Sequence, residues 1–337
     1  MGNIELVFIY WAALLMLLWS CIDGVQPVLA YQKSLSFHEP IFIFFIMLAA
    51  STPWSIRLAR HSIVRLSDLL SFIPAEKKII QFFIVMTVGP LLGSLMTEPA
   101  AITISAALLY NMIDDNRTDA GLRYGILALL FVNVSLGGAL TAFAAPPILM
   151  VAGIWSWNNS DVFLNLGIPA LIAVIGNAMI FLLLYSKKLK SQLTELTKSK
   201  TKSSFNVVES LQVALFLTGL IEFGALQKWW LAPLLGSLSE HLLYSGSVVL
   251  TAAIDNAALT YLAAQVHDLS QVAKWAIVSG ALTGGGLTIL ANAPNPAGFA
   301  ILHSKFPDGL SMVKLLKAAL IPTAVAFCCF YARLFIF

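Results

Sequence analysis

Two acidic residues interrupt apolar stretches in a chain that contains few charged residues. Glu98 lies within TVGPLLGSLMTEPAAITISAALL (87–109), and Asp255 precedes Asn256 in a second apolar stretch, 239–267. Only 11% of the 337 residues are charged, whereas 59% are hydrophobic. A carboxylate inside an apolar layer costs a few kcal/mol or more, so such acids are usually paired, face a cavity and serve function. The two acids are therefore candidates to hold a proton or a small cation.

Neutral oxygen ligands could come from two further apolar stretches that contain Gly-Gly pairs, threonines and asparagines. Backbone carbonyls released at a helix break, together with hydroxyl and amide oxygens, are ligands that Na+ prefers. The candidate cation and proton ligands are Glu98, Asp255, Asn256, Thr97, Asn133, Gly137, Gly138, Thr141, Gly284, Gly285, Thr288, Asn292 and Asn295. We expect Na+ to bind at Glu98 and Asp255 in competition with H+, which is sufficient for exchange. No cofactor other than these transported ions is expected.

Each of these features also has a purely structural interpretation. Glu98 could be an exposed turn residue of an ordinary hairpin, and Asp255 could be a simple helix cap. The Gly-Gly pairs could be notches where membrane helices touch. Asp23 and Glu222 lie near predicted helix ends, where interfacial hydration explains most acids.

The hydrophobic stretches predict the elements that must position the two acids. A helix needs about 20 apolar residues to cross a hydrocarbon core of roughly 30 Å. Stretches that meet this criterion are 4–31, 41–59, 162–186, 207–226 and 313–332. The longer stretches 122–157 and 271–303 contain Gly and Pro and predict discontinuous helices. The composition therefore predicts an all-α polytopic membrane protein.

Two other apolar segments, 78–113 and 239–267, are interrupted at Glu98 and at Asp255. The leg after each break has about 12 to 14 residues and would cover only about 20 Å, too little to cross the membrane. Each segment is therefore predicted to be a re-entrant hairpin. We expect both tips to lie within about 8 Å of the bilayer midplane, given a core roughly 30 Å thick.

The basic residues predict the orientation of the chain. If the basic loop 187–204 is cytoplasmic and each hairpin returns to its own side, only four of the 20 Lys and Arg residues lie outside. Those four residues are Lys33, Lys228, Lys274 and Arg333. The positive-inside rule then places the N-terminus inside and the C-terminus outside.

An internal repeat divides the chain into two similar halves. The pattern EPAAIT at 98–103 matches DNAALT at 255–260, and GGALTAFAAPP at 137–147 matches GGGLTILANAP at 284–294. Because the orientation reverses between the halves, we predict an inverted repeat of the kind found in secondary transporters. The predicted organisation comprises an extra N-terminal transmembrane helix (1–36), a first repeat (37–186), the cytoplasmic basic loop (187–204) and a second inverted repeat (205–337).

A hairpin tip followed by a Gly-Gly-x-x-Thr broken helix, present twice, resembles the ion transporter superfamily over roughly residues 40–335. The acidic tips are most similar to its putative Na+/H+ antiporter branch. This resemblance implies alternating access, often a homodimer, and residence in the cytoplasmic (inner) membrane of a bacterium. Dicarboxylate symporters of the superfamily resemble one another in a neutral Ser-Asn-Thr at each tip. The tips here instead read Thr97-Glu98-Pro99 and Asp255-Asn256-Ala257.

Other functions remain open at this point. A Na+-coupled symporter, or another carrier of a carboxylate or an inorganic anion, is the main alternative to Na+/H+ exchange. No Lys, Arg or His lies near either tip in the sequence, which favours a cation. An intramembrane aspartyl protease would need the two acids to share a proton, and a passive channel would need no repeat. The expected partners are membrane lipid and small cations, without nucleic acid. We expect Asp255 to matter more than Glu98, because Asn256 offers a second side-chain oxygen.

Overall fold

The computed structural model describes residues 4–35, 37–50, 52–70, 72–114, 117–196, 207–224, 226, 228–266 and 268–336. Within these ranges the chain is helical and contains no β-strand, which confirms the all-α class. The helices are α1 (Ile4–Asp23), α2 (Val25–Ser34), α3 (His38–Ala50), α4 (Pro53–Leu69), α5 (Lys77–Leu91), α6 (Gly93–Met96), α7 (Glu98–Met112), α8 (Ala120–Gly137), α9 (Pro146–Ala152), α10 (Asn159–Val162), α11 (Ile168–Gln192), α12 (Val207–Gly224), α13 (Lys228–Gly236), α14 (Glu240–Thr251), α15 (Asn256–Ala264), α16 (Gln271–Gly284), α17 (Asn295–Leu302) and α18 (Met312–Phe335). A π-helical turn, Phe163–Gly167, joins α10 to α11.

Four helices in the described ranges are long and apolar enough to cross a membrane: Lys77–Met96, Ala120–Gly137, Asn159–Gln192 and Met312–Phe335. Large apolar side chains are exposed along the outer helices, as for Leu183 and Leu320. Such side chains suit contact with lipid and would be costly in water. The chain is therefore an integral membrane protein. Part of the predicted cytoplasmic loop, 197–204, lies outside the described residues.

Two of the predicted membrane helices are not continuous in the structure, so these two predictions are wrong. The predicted helix 4–31 is interrupted at Gly24, whose φ of 84° is not helical and separates α1 from α2. The predicted helix 41–59 is divided between α3 and α4, because Pro53 suits the first turn of a helix and cannot continue one. The predicted helices 162–186 and 313–332 lie within single continuous helical segments.

The interruptions in the two predicted hairpins fall at the acidic residues. Thr97 separates α6 from α7, and Asp255 precedes α15. Helix α7 packs against α5, and α15 packs against α14, so each segment folds back on itself. The first leg of the first hairpin, Lys77–Met96, is itself long enough to span a membrane, whereas α7 has 15 residues and α15 has 9. Re-entry of both hairpins on their own side stays a prediction.

Both long Gly-rich helices are also broken where the sequence indicates. Helix α8 ends at Gly137 and the chain resumes as α9, while α16 ends at Gly284 and resumes as α17. Each terminal glycine lies against the backbone of the first hairpin leg in its own half. A Cβ at Gly137 would clash with the backbone of Pro90, and one at Gly284 would lie 2.5 Å from the Val248 carbonyl oxygen. These glycines therefore let each broken helix approach its hairpin closely.

The short helices after the breaks pair across the two halves of the sequence. Helix α7 packs along α17, and α15 packs along α9. The amide of Asn292 reaches Glu98 at the start of α7, while Lys305, just after α17, donates from Nζ to the Ile113 carbonyl at 2.8 Å. Helices α7 and α17 therefore run in the same direction, from the hairpin tip outward.

Candidate functional site

Glu98 is the first residue of α7, and its side chain is fully buried. The Nδ2 of Asn292 donates a hydrogen bond to Oε2 of Glu98 at 2.7 Å. The other carboxyl oxygen, Oε1, is buried and has no hydrogen-bond partner. It lies over Gly138, where an added Cβ would come within 2.9 Å of it. The first tip therefore holds a carboxyl group with one satisfied oxygen and one free oxygen.

Thr97, which precedes Glu98, has a strained backbone. Its φ is 85°, a left-handed conformation that β-branched residues rarely adopt. Strain of this kind costs on the order of 1–3 kcal/mol and persists where the surrounding structure imposes it, often at functional sites. The Thr97 hydroxyl is also buried without a hydrogen-bond partner. Thr97 thus adds a second free oxygen beside the Glu98 carboxyl.

Asp255 has different surroundings. It is the N-cap of α15, and its Oδ1 accepts hydrogen bonds from the backbone N–H of Ala257 (2.8 Å) and of Ala258 (3.1 Å). Its Oδ2 is buried without a hydrogen-bond partner, and the backbone N–H of Ala293 lies close enough to interact with the carboxyl group. The structural interpretation of Asp255 as a helix cap is therefore correct for one of its two oxygens.

Asn256 and two other asparagines bring further free oxygens to this region. Asn256 donates its backbone N–H to the Ala291 carbonyl at 3.0 Å, but neither its Oδ1 nor its Nδ2 has a partner. The Oδ1 atoms of Asn292 and Asn295 are likewise buried and unpartnered. A buried acceptor left without a partner typically costs about 1–3 kcal/mol. Several such acceptors near two carboxyl groups suit a bound cation.

The structure gives Asn133 a different role from the predicted one. Its Nδ2 donates to the carbonyls of Met86 (2.8 Å) and Val174 (3.2 Å), and its Oδ1 accepts from Asn177 Nδ2 at 3.0 Å. All of these partners belong to packing between α5, α8 and α11. Asn133 therefore ties helices together, and its oxygen is already occupied.

Two of the three predicted threonine ligands, Thr141 and Thr288, connect the helix breaks to the hairpins. Thr141 donates from Oγ1 to the Ser94 carbonyl, and Thr288 donates from Oγ1 to the Ala252 carbonyl, each at 2.8 Å. The two bonds are made by matching residues of the repeat. The two hydroxyl oxygens still have free lone pairs, but their hydrogen bonds mainly hold each helix break against its hairpin.

The glycine carbonyls are less available than the sequence suggests. The Gly137 carbonyl accepts from Ser94 Oγ at 2.6 Å, and the Gly285 carbonyl accepts from Asn295 Nδ2 at 2.8 Å. Gly138 and Gly285 instead provide space: Gly138 lies beneath Glu98, and a Cβ at Gly285 would come within 2.9 Å of Asn256 Nδ2. These glycines therefore admit the polar side chains of the site more than they coordinate an ion.

Sequence reasoning missed two serines beside the site. Ser94 donates to Gly137 and accepts from the Leu140 N–H at 2.9 Å, and Ser135 donates to the Leu282 carbonyl at 2.8 Å. Both are buried. Ser94 lies four residues before Glu98, and this closeness in the sequence is the only signal that could have identified it.

No basic group pairs with either tip among the described residues. The hydrogen-bond partners of Glu98 and Asp255 are an amide side chain and backbone N–H groups, and the two acids do not bond to each other. The ion pairs among the described residues, such as Lys77–Asp68 (2.6 Å), lie near helix ends and do not involve Glu98 or Asp255. A carboxyl dyad of the protease type is therefore absent at the two tips.

Comparisons with known proteins place the chain in a transporter family. The sequence model of the family described as putative Na+/H+ antiporter matches residues 1–208 and 197–333. A search of curated proteins found no match.

Proposed function

Since the chain belongs to the putative Na+/H+ antiporter family, we propose that it exchanges Na+, or a similar monovalent cation, for H+ across the membrane. The observation that carries this proposal is the buried Glu98 carboxyl, which has a free oxygen and no basic partner within the described chain. Such a carboxyl is neutral when it binds a proton and is neutralised when it binds a cation. H+ and Na+ therefore compete for one group, and competition of this kind produces exchange.

The ligands proposed for the cation are oxygens that no other group uses. They are Glu98 Oε1, Thr97 Oγ1, Asn256 Oδ1, Asn292 Oδ1, Asn295 Oδ1 and Asp255 Oδ2. Carboxylate, amide and hydroxyl oxygens suit hard cations of this class. The set includes no cluster of three His, Cys, Asp or Glu residues in the described part of the chain. It thus suits a weakly held, exchangeable cation better than a tightly bound transition metal.

The main alternative is an anion carrier, because the N-termini of α7, α15 and α17 all meet at the tips. Helix N-termini attract anions through their free N–H groups. Pro99 and Pro296 remove such N–H groups in the first turns of α7 and α17, and Asp255 already occupies those of α15. Fewer donors are therefore free for an anion at these helix ends, which favours the cation.

The membrane arrangement is part of the same proposal. The distribution of basic residues supports an N-terminus in the cytoplasm and a C-terminus outside, and the family resemblance implies a bacterial inner membrane. The two tips then lie between two inverted halves, each hairpin open to a different side, as alternating access requires. The homodimer implied by the resemblance stays a prediction.

The proposal is tested in everted membrane vesicles that contain the protein. Respiration acidifies the vesicle interior, and Na+, Li+ or K+ is then added to the outside. We expect Na+ or Li+ to dissipate the pH gradient in vesicles with the protein and not in matched vesicles without it. Failure of every monovalent cation to do so, together with dicarboxylate-dependent Na+ uptake in proteoliposomes, would replace the antiporter with a symporter.

A further inference from the structure

A crevice lies between α8, α11 and α18, and none of the proposed cation ligands lines it. It has an empty volume of about 350 Å³, part of which is open to the surroundings. Its walls are apolar except for Asn177 and Tyr185. Leu184 on α11 and Ile321 on α18 line the crevice and are exposed. The crevice therefore opens onto an apolar surface of the kind that faces lipid.

Small residues leave this space between the helices unfilled. Gly125 on α8 has no side chain, and a Cβ there would lie 3.0 Å from Cε2 of Phe181 on α11. Ala318 on α18 also lines the crevice and is only partly buried. A larger side chain at Ala318 would extend into the crevice and occupy it.

The length of the crevice matches about half of a membrane. Asn177 lies near the middle of the apolar span Asn159–Gln192, and its buried amide donates to Asn133 Oδ1 at 3.0 Å. From Asn177 to Tyr185 the crevice follows eight residues of α11, or about 12 Å. Half of a hydrocarbon core is about 15 Å. The crevice therefore has the length required by the acyl chain of a lipid in one leaflet.

Helices α11 and α18 run in opposite directions beside each other. Arg333 Nε donates to the Leu164 carbonyl at 3.1 Å, and a Cβ at Gly176 would lie 3.6 Å from Val325 Cγ1. Residue numbers thus rise along α11 as they fall along α18. The basic end of α11 therefore lies beside the basic start of α18, at the same end of the crevice.

Three exposed lysines flank this end of the crevice. Lys187 follows Leu184 by three residues, whereas Lys314 and Lys317 each precede a residue of the crevice wall by four. Residues three or four apart share one face of a helix. None of the three lysines forms an ion pair within the described ranges. Their ammonium groups can therefore hold an anion at the end of the crevice.

From this arrangement we propose that the crevice binds an acyl chain of an anionic phospholipid whose phosphate is held by Lys187, Lys314 and Lys317. Basic pockets between membrane helices bind anionic head groups in this way. Tyr185, whose ring stacks on Phe181 with centroids 4.6 Å apart, lies between the apolar and the basic parts. Tyrosine is common at this level of a membrane. The proposal does not depend on ion exchange.

A lipid fits the crevice better than a second copy of the chain does. In a two-fold dimer each subunit presents the same patch, so residues near the axis meet their own equivalents. A dimer formed through this crevice within one membrane would bring the three lysines of each copy together. Like charges so placed repel each other, whereas a phosphate neutralises them.

The test uses native mass spectrometry of the full-length protein after removal of lipid in detergent. Dioleoyl phosphatidylglycerol is titrated as the anionic lipid, and dioleoyl phosphatidylcholine is its zwitterionic match with the same acyl chains. We expect one phosphatidylglycerol to bind more tightly than phosphatidylcholine. Lys317→Gln should weaken phosphatidylglycerol binding about fivefold, and the triple variant with Lys187→Gln and Lys314→Gln roughly 100-fold. Lys33→Gln, at an exposed lysine on α2, is the control and should bind as the wild type does.

The acyl chain is tested separately from the phosphate. Ala318→Phe fills the crevice and should weaken phosphatidylglycerol binding several-fold, whereas Ala324→Phe, at an exposed residue of α18 outside the crevice, should not. If Ala318→Phe does not fold, the lysine variants still decide, because they change only exposed side chains. Inorganic phosphate at the concentration of the lipid should not displace it.

Three results would overturn the proposal. Equal affinity of the wild-type protein for the two lipids, or wild-type affinity in the triple lysine variant, would remove the anionic head group. Displacement by an equal concentration of inorganic phosphate would assign the lysines to a free phosphate. A lipid-free dimer that is lost in Ala318→Phe would assign the crevice to a second copy of the chain.

Discussion

The two hairpin tips share a sequence pattern but hold their acids in different ways. Glu98 follows a strained Thr97, lies inside α7 and receives one hydrogen bond from the other half of the chain. Asp255 has an ordinary backbone conformation and caps its own helix through two backbone N–H groups. An acid that caps a helix is stabilised as an anion by that helix. For the proposed exchange we therefore expect the proton to bind Glu98, in contrast to the sequence-based expectation that Asp255 matters more.

The largest effect is expected from Glu98→Gln. Glutamine keeps the size and the contact with Asn292 but cannot release a proton or balance a cation. Cation-driven proton movement should fall by about 100-fold or more. The measurement is dissipation of the pH gradient in everted vesicles, normalised to the amount of protein in the membrane. Exchange near the wild-type rate would show that the Glu98 carboxyl is not required for exchange.

A smaller effect is expected from Asp255→Asn, because asparagine is as good an N-cap as aspartate. Exchange should fall less than in Glu98→Gln, while thermal stability stays close to that of the wild type. Asp255→Ala removes the cap as well and should lose about 1 kcal/mol of stability in addition. The three proteins are compared by transport and by thermal unfolding in detergent. A greater transport loss in Asp255→Asn than in Glu98→Gln would reverse the assignment of the proton.

A substitution at Gly138, which lies beneath Glu98, is expected to have an intermediate effect. A Cβ at Gly138 would lie 2.8 Å from Glu98 Cγ, so Gly138→Ala must displace the carboxyl group. We expect the apparent Na+ affinity in the vesicle assay to fall several-fold. Gly153→Ala is the matched control, because nothing lies within 4 Å of its added Cβ. Equal behaviour of the two alanine variants would mean that the position of the Glu98 carboxyl is not critical.

The smallest effect is expected from Asp119→Asn, outside the membrane-spanning segments. The Lys188 ammonium, 2.8 Å away, and the Leu122 N–H lower the pKa of Asp119 to about 2. Because the folded value is depressed, the stabilisation is present above the unfolded pKa of about 3.9 and is lost as pH falls through about 2. The exchange–pH curve between pH 6 and 9 should therefore be unchanged in this variant. A shift of that curve would implicate the helix ends in proton sensing.

The sequence predicted the breaks at the two tips and at the Gly-Gly motifs for reasons that are local, but not those at Gly24 and before Pro53. Proline after Glu98, the capping pair at Asp255 and the Gly-Gly motifs each restrict the backbone within a few residues. The burial of both acids also followed from the apolar composition around them. These features require no knowledge of the rest of the fold.

The partners of the site residues could not be predicted in the same way. Asn133 faces α11 and not the tips, and Ser94 occupies the carbonyl that Gly137 was expected to offer. Such pairings depend on which helix faces meet, and this is set by packing across the two halves. The different roles of Glu98 and Asp255 arise from a one-residue difference in where each helix begins: α7 begins at its acid, whereas α15 begins after its acid.

The most direct measurement is the release of protons when Na+ is added to the purified protein in weakly buffered detergent solution, between pH 6 and 9. If H+ and Na+ compete at Glu98, the release should approach one proton per cation bound at the pH of greatest release, and Glu98→Gln should release almost none. Na+ binding without proton release, or equal release from Glu98→Gln, would contradict exchange at this carboxyl group.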